Sequence, residues 1–148
     1  MSFSVEFPTR WADFDPNNHM RHSAYNGYAA EARARFFKSR DLSLAEFSTL
    51  NVGPVLFREE TNFLREISMG ENIKVETFLK GMSDGGERFM FFHQIIKEGG
   101  ILAAEITILG AWMDLKKRKL TVPPTIVIEA CSSLERTEEF IQIPLSRK

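Results

Sequence analysis

The sequence is short of features that would indicate a secreted or membrane protein. It contains one cysteine, Cys131, so no disulfide can form within the chain, and a reducing cytoplasm is the expected location. No stretch approaches the ~20 apolar residues that a membrane-spanning helix requires, so we expect no membrane association. The segment 1–10 alternates apolar and polar residues, and this pattern predicts no signal peptide.

An excess of charge of either sign is also missing. The chain has 19 Lys and Arg residues against 20 Asp and Glu, for a formal net charge of -1. This balance argues against a nucleic acid partner. The basic run 116–119 is more typical of a solvated hairpin end than of a binding patch. With 148 residues, 43% of them hydrophobic, and 13 phenylalanines, the chain 1–148 is predicted to be a single domain with one core.

Hydrophobic periodicity predicts one helix among several strands. Apolar residues at helical spacing follow a polar loop, and the helix is expected to begin near His22, with Ser23 as a plausible N-cap. This helix is rich in alanine, which allows a close approach to a sheet. A short terminal helix is predicted over 125–134. Strands are predicted at five places, the segments 3–7, 55–67, 73–80, 88–97 and 101–113.

The order of these elements predicts an α+β fold. Strand, helix and four strands follow one another as β-α-β-β-β-β, and the short turns between the last strands imply antiparallel neighbours. One long central helix wrapped by a curved antiparallel five-stranded sheet is the expected architecture. Since several strands are apolar on both faces, we predict that a second subunit covers the free face or edge of the sheet.

The loop before the helix concentrates the residues that could carry chemistry. Asp13, Asp15, His19 and His22 lie close together in the sequence, and Tyr25 follows. The two carboxylates could simply cap a turn, and the histidines could be ordinary surface residues. Histidines three apart beside carboxylates also occur in metal sites, but the spacing alone is too weak for us to predict one.

The segment 10–33 carries a family resemblance. It reads RWADFDPNNHMRHSAYNGYAAEAR and resembles the opening of the 4-hydroxybenzoyl-CoA thioesterase family of hot-dog proteins. That family follows the approximate pattern R-x-x-D-x-D-x-x-G-H-V-x-x-x-x-Y, with E-A-R later in the helix. The positions that match are Asp13, Asp15, Pro16, His19, Tyr25, Glu31 and Arg33. With the strand pattern, the resemblance extends over about residues 3–122 and implies a hot-dog fold.

The resemblance also implies an acyl-CoA thioesterase with assigned site residues. Asp15 aligns with the catalytic carboxylate, as nucleophile or general base. In the branch similar to Tol–Pal-associated thioesterases, a histidine and an aromatic residue at the positions of His22 and Trp11 belong to the site. The N–H at His22 would polarise the thioester carbonyl. Asn18, His19 and Tyr25 would help to bind substrate.

The resemblance further implies the ligands and the assembly. Coenzyme A enters only as part of the acyl-CoA substrate, and no separate cofactor or metal is expected. The family builds its site across a homodimer interface, and two dimers can form a tetramer. Four basic residues are candidates for the CoA phosphates, Arg58, Arg65, Lys80 and Arg88.

Three positions in the loop depart from the family pattern. Met20 replaces the usual valine, and Arg21 stands where the family often has asparagine or tyrosine. Asn18 replaces the usual glycine, and asparagine is the next-best residue for a left-handed backbone.

Two other functions remain open from the sequence. Hot-dog enoyl-CoA hydratases carry a D-x-N-P-x-H motif after the helix. Asp15, Asn17 and His19 match that motif loosely, but they precede the helix. A non-catalytic acyl-binding protein is the second alternative, because a fold does not fix a function.

Overall fold

The computed structural model describes residues 2–145, which form helices on a single sheet. The three α-helices are α1 (His22–Ser39), α2 (Leu44–Leu50) and α3 (Thr125–Ser132). A short 3₁₀ turn, Trp11–Asp13, precedes α1. The strands are β1 (Phe3–Phe7), β2 (Val52–Phe63), β3 (Ile73–Met82), β4 (Arg88–Lys97), β5 (Ile101–Asp114), β6 (Lys119–Leu120) and β7 (Arg136–Gln142).

The main sheet has the spatial order β1-β3-β4-β5-β2, and each of these neighbours is antiparallel. The short β6 adds to β5, and β7 runs parallel to β3. Side chains alternate between buried and half-buried along β3 and β4, because one face of the sheet carries the core. Within residues 2–145, β2 pairs with β5 alone, so it forms one edge of the sheet.

Helix α1 packs against the buried face of the sheet through small and aromatic residues. Ala29, Ala32 and Phe36 are completely buried, and Phe36 contacts Phe91 of β4 edge to face. Alanine side chains allow the helix axis to approach the strands closely. The prediction that an alanine-rich helix lies close to the sheet agrees with this packing.

Three features of the predicted architecture are wrong. The segment between α1 and β2, where no element was predicted, contains α2, which Ser43 caps by accepting a hydrogen bond from the Glu46 N–H at 3.2 Å. Strands β2 and β3, which the short turns predicted to be antiparallel neighbours, lie apart in the sheet. The sheet also gains β6 and β7, so it has seven strands and is not purely antiparallel.

The other predicted elements are present with small changes at their ends. Helix α1 begins at His22 as expected, but Arg21 occupies the N-cap position that the sequence assigned to Ser23. The terminal helix predicted over 125–134 is present as α3. In the described part of the chain, no helix is both long and apolar enough to cross a lipid bilayer.

Candidate active site

Asp15 lies at one end of a tight turn that leads into α1. Its N–H donates to the His19 carbonyl at 2.9 Å, and the Asn18 N–H donates to the Asp15 carbonyl at 3.0 Å. The Asp15 carboxylate also caps this turn, because Oδ1 accepts from the N–H groups of Asn17 at 2.9 Å and His19 at 3.1 Å. The turn-capping interpretation is therefore confirmed for Oδ1. Among residues 2–145, Oδ2 has no hydrogen-bond donor, so it remains available for chemistry.

Asn18 provides the left-handed residue that this turn needs. Its φ angle is +69°, as the sequence predicted for asparagine at the usual glycine position. Its side-chain Oδ1 accepts a hydrogen bond from the Met69 N–H at 3.2 Å. Asn18 therefore preserves the turn and also joins it to the segment before β3.

The amino end of α1 presents unpaired donors beside this turn. Arg21 gives no side-chain cap, and its guanidinium instead donates to the Ala12 carbonyl at 2.8 Å and to Ser23 Oγ at 2.9 Å. Among the described residues, the backbone N–H groups of His22 and Ser23 have no acceptor. Such groups carry the positive end of the helix dipole. The His22 side chain is exposed.

Two predicted binding residues lie against the segment that follows β2. His19 Nε2 is 2.9 Å from Glu66 Oε1. Tyr25 is only 4% exposed and packs edge to face on Phe63, with ring centres 5.0 Å apart. Burial, and secondarily the Glu66 charge, raise the pKa of the Tyr25 hydroxyl. An open cavity next to the Asp15 turn is lined by residues of α1 and of the end of β2 and the segment after it: Tyr25, Phe63, Arg65 and Glu66.

Asp13, in contrast to Asp15, is fully engaged in the protein interior. Its side chain is 5% exposed. It accepts hydrogen bonds from the Arg10 guanidinium at 2.9 Å and the Tyr28 hydroxyl at 2.7 Å, with Arg21 at 3.4 Å. The hydrogen bond from Arg10 lowers the pKa of Asp13. Asp13 therefore holds the loop to the helix.

The remaining predicted residues are distributed around this turn. Trp11 is 80% exposed and belongs to the 3₁₀ turn, so its ring is free to contact a ligand.

In the described range, no cluster of three or more His, Cys, Asp or Glu side chains could hold a metal ion. Cys131 is buried, and burial raises the pKa of its thiol to about 12. A thiol in that state is a poor nucleophile.

Sequence reasoning did not identify Glu66 as a member of this region. It lies far from His19 in the chain, and the two meet because the segment after β2 runs beside the turn, where Ser68 pairs with His19. A lone glutamate between two strands carries no local signal of this contact.

A family model matches most of the chain. The model for the Thioesterase-like superfamily matches residues 9–131, which include the Asp15 turn and helix α1. A comparison with curated protein sequences found no match.

Solved structures of similar fold include several thioesterases. A hypothetical protein from Staphylococcus aureus, solved in complex with CoA, is 25% identical, with a TM-score of 0.81 over 97% of this chain and 96% of that one. A 1,4-dihydroxy-2-naphthoyl-CoA thioesterase from Synechocystis is 20% identical, with a TM-score of 0.80 over 90% and 98%. A DHNA-CoA thioesterase from Staphylococcus aureus is 20% identical, with a TM-score of 0.76 over 88% and 89%. The predicted hot-dog fold is therefore confirmed.

Proposed function

The chain belongs to the Thioesterase-like superfamily, and from this membership we propose that it hydrolyses an acyl-CoA thioester to a free acid and CoA with Asp15 as its catalytic carboxylate. The observation that carries the proposal is the state of Asp15. Two N–H groups fix one carboxylate oxygen, and Oδ2 is left without a donor among residues 2–145. A carboxylate held in this way has a fixed orientation but does not form a structural ion pair.

Asp15 can act on a thioester in two ways. As a nucleophile, Oδ2 attacks the carbonyl carbon, the C–S bond breaks, CoA leaves as a thiolate, and water then hydrolyses the resulting anhydride. As a general base, Oδ2 takes a proton from water while the water oxygen attacks the same carbon. Both routes place negative charge on the carbonyl oxygen.

The amino end of α1 is suited to stabilise that charge. The unpaired N–H groups of His22 and Ser23 can donate to the carbonyl oxygen, and their contribution grows as charge develops in the transition state. The exposed imidazole of His22 is then free to contact water or the CoA thiol. We propose that four side chains contact the substrate: Asn18 and His19 of the turn, Trp11 of the 3₁₀ turn before it, and Tyr25 of α1.

We place the CoA arm and the complete site at the junction of two subunits. Arg65 lines the open cavity beside Tyr25, which favours it among the four basic candidates for a CoA phosphate. The cavity borders the β2 edge of the sheet, so a homodimer formed through that edge would enclose it. Pairing of two such dimers gives a tetramer.

The buried free thiol of Cys131 suits a reducing cytoplasm, which is the proposed compartment.

Hydrolysis by an Asp15→Asn variant tests this proposal. Wild type is incubated with a panel of saturated and unsaturated acyl-CoA esters, and the released thiol is measured. Asparagine keeps the turn but can neither attack nor accept a proton at neutral pH, so thiol release should fall by at least about 100-fold. Asp41→Asn is the matched control. Asp41 is exposed and has a φ angle of +65°, which asparagine adopts readily.

Each alternative function has its own outcome in the same assay. Full thiol release by a folded Asp15→Asn protein would contradict the role of Asp15. Hydration of an unsaturated ester without thiol release would support a hydratase. Acyl-CoA binding with no turnover by wild type would support a non-catalytic binding protein.

A further inference from the structure

Arg33 lines an apolar cavity that the proposed chemistry does not use. The cavity has a volume of about 210 Å³ and lies between α1, α2 and the first half of β2. Its walls are otherwise almost entirely hydrocarbon, with Phe37, Leu42, Phe47 and Leu56 among them. Arg33 is half-buried there, and a partly desolvated charge gains from a partner, because burial of an isolated charge is costly.

The side chain that contacts Arg33 is a neutral histidine. Arg33 Nη1 lies 3.1 Å from His93 Nε2, and His93 Nδ1 lies 2.9 Å from Thr77 Oγ1. A guanidinium can only donate, so Nε2 accepts and the imidazole carries its proton on Nδ1, where it donates to Thr77. Burial, together with the Arg33 charge, lowers the pKa of His93 to about 3. His93 is therefore uncharged near neutral pH, and an imidazole has no negative charge with which to neutralise Arg33.

No carboxylate of the described residues forms an ion pair with Arg33. Burial lowers the pKa of the Arg33 guanidinium, and the charge of the exposed Glu59 carboxylate raises it. A guanidinium has five N–H donors, and the contact with His93 uses one. Other N–H groups of Arg33, at the wall of the cavity, therefore have no acceptor among residues 2–145.

The cavity lies on the seam where α1 packs against β2, and the Asp15 turn leads into the start of that helix. Tyr25 packs on Phe63 at one end of the seam, and further along Asn26 Nδ2 donates to Thr61 Oγ1 at 3.2 Å. From His22, at the start of α1, to Arg33 the helix rises about 16 Å. A substrate with its carbonyl at the start of α1 can therefore direct its acyl group along the helix toward Arg33.

We propose that Arg33 binds a carboxylate at the far end of the acyl group, so that the preferred substrates are CoA thioesters of dicarboxylic acids. The inference rests on the proposed thioesterase function and adds its substrate class. A planar guanidinium matches a carboxylate with two parallel hydrogen bonds, and such charged bonds are strong when desolvated. The hydrocarbon walls would contact the methylene chain of the same substrate.

The test compares two thioesters of equal chain length. Suberoyl-CoA ends in a carboxylate, and octanoyl-CoA ends in a methyl group. Wild type should favour suberoyl-CoA in kcat/KM by about 10-fold or more. Arg33→Gln should lose this preference, mainly through KM for suberoyl-CoA, and Arg33→Lys should retain part of it. Arg35→Gln is the control, because Arg35 lies on the same helix but pairs with Glu31 at 3.0 Å outside the cavity.

A binding measurement separates this inference from the proposed function. Calorimetry with the free acids should show suberate binding to wild type more tightly than octanoate, and Arg33→Gln should abolish the difference. Equal kcat/KM values for the two thioesters in an active wild type would overturn the inference while thioesterase activity stands. An equal loss for both thioesters in Arg33→Gln would show a purely structural role. Selective suberate binding without any thioester hydrolysis would reject the proposed function but support the carboxylate site.

Discussion

Two aspartates in one short loop form different contacts because their surroundings differ. Asp13 is buried and accepts hydrogen bonds from Arg10 and Tyr28, so its charge is consumed in holding the loop. Asp15 is half-buried and uses one oxygen in its own turn. The sequence places both beside a proline-containing turn, and spacing alone does not separate them. Hydrogen-bond partners from outside the loop decide which carboxylate remains available.

Asp13→Asn should reduce stability in a way that depends on pH. The Arg10 hydrogen bond depresses the pKa of Asp13 in the folded state, so the ionised carboxylate stabilises the fold above its unfolded pKa of about 3.9. That stabilisation is lost as the pH falls through the lower folded pKa. At pH 7 the variant should unfold with about 1–3 kcal/mol less free energy, and the difference should shrink below about pH 4. Urea unfolding across this pH range measures it.

The pH trend distinguishes this mechanism from a general packing defect. A difference between wild type and Asp13→Asn that stays constant from pH 7 to pH 3 would contradict the ionised hydrogen-bond network. Asp84→Asn is a suitable control, since Asp84 lies exposed in the turn between β3 and β4 and should show a far smaller effect at pH 7.

At the scale of elements, α1 combines a close fit on one side with open space on the other. The fully buried Ala29 and Ala32 face the sheet, whereas a Cβ built on Gly27 would meet nothing within 4 Å. A methyl group at position 27 would therefore clash with no neighbouring atom. Gly27 loses more conformational freedom on folding than any other residue would.

Gly27→Ala should consequently stabilise the protein by roughly 0.5–1 kcal/mol, because alanine favours the interior of a helix. Gly110→Ala in β5 is the opposite case. Its Cβ would lie 2.5 Å from Phe89 and 2.7 Å from the Val55 carbonyl, so it should destabilise the sheet. Thermal unfolding of both variants checks the pair, and destabilisation by Gly27→Ala would show that this face of α1 is covered in solution.

Local patterns predicted the elements but could not predict all their neighbours. Alternation predicted β3, and the short turn after it correctly implied that the next strand, β4, is its antiparallel neighbour. The placement of β2 beside β5 depends on packing around α1, which leaves no periodic trace in the sequence. Helix α2 was missed because its seven residues are too few for a clear helical pattern.

The candidate site shows the same division between local and distant information. The turn around Asp15 and Asn18 could be predicted because its shape depends on adjacent residues. The contacts of Glu66 with His19 and of His93 with Arg33 join distant parts of the chain. Burial of His93 follows from sheet order, and an isolated histidine in a strand pattern gives no sign of it.

At the scale of the whole molecule, β2 forms an edge of the sheet that exposes large apolar side chains on either side of a charged run, 58–60. Strand β2 and the residue after it expose Leu56, Phe57, Phe63 and Leu64, with Phe57 and Phe63 each 52% exposed. The backbone on the outer side of β2 has no partner strand among residues 2–145. Exposed edges of this kind invite pairing with another chain. These features support the proposed homodimer through β2.

Charge placed on this edge should therefore separate the subunits. Phe57→Asp replaces an exposed apolar side chain near the middle of β2 with a carboxylate, and pairing of two β2 strands would bury it. The variant should therefore sediment as a monomer at concentrations where wild type sediments as a dimer. Val122→Asp is the control, because Val122 is 59% exposed but lies outside β2. If the complete site lies at the junction, thiol release should fall together with dimer content. A monomeric Phe57→Asp protein with full activity would show that one subunit suffices, and a wild type that is itself monomeric would refute the assembly.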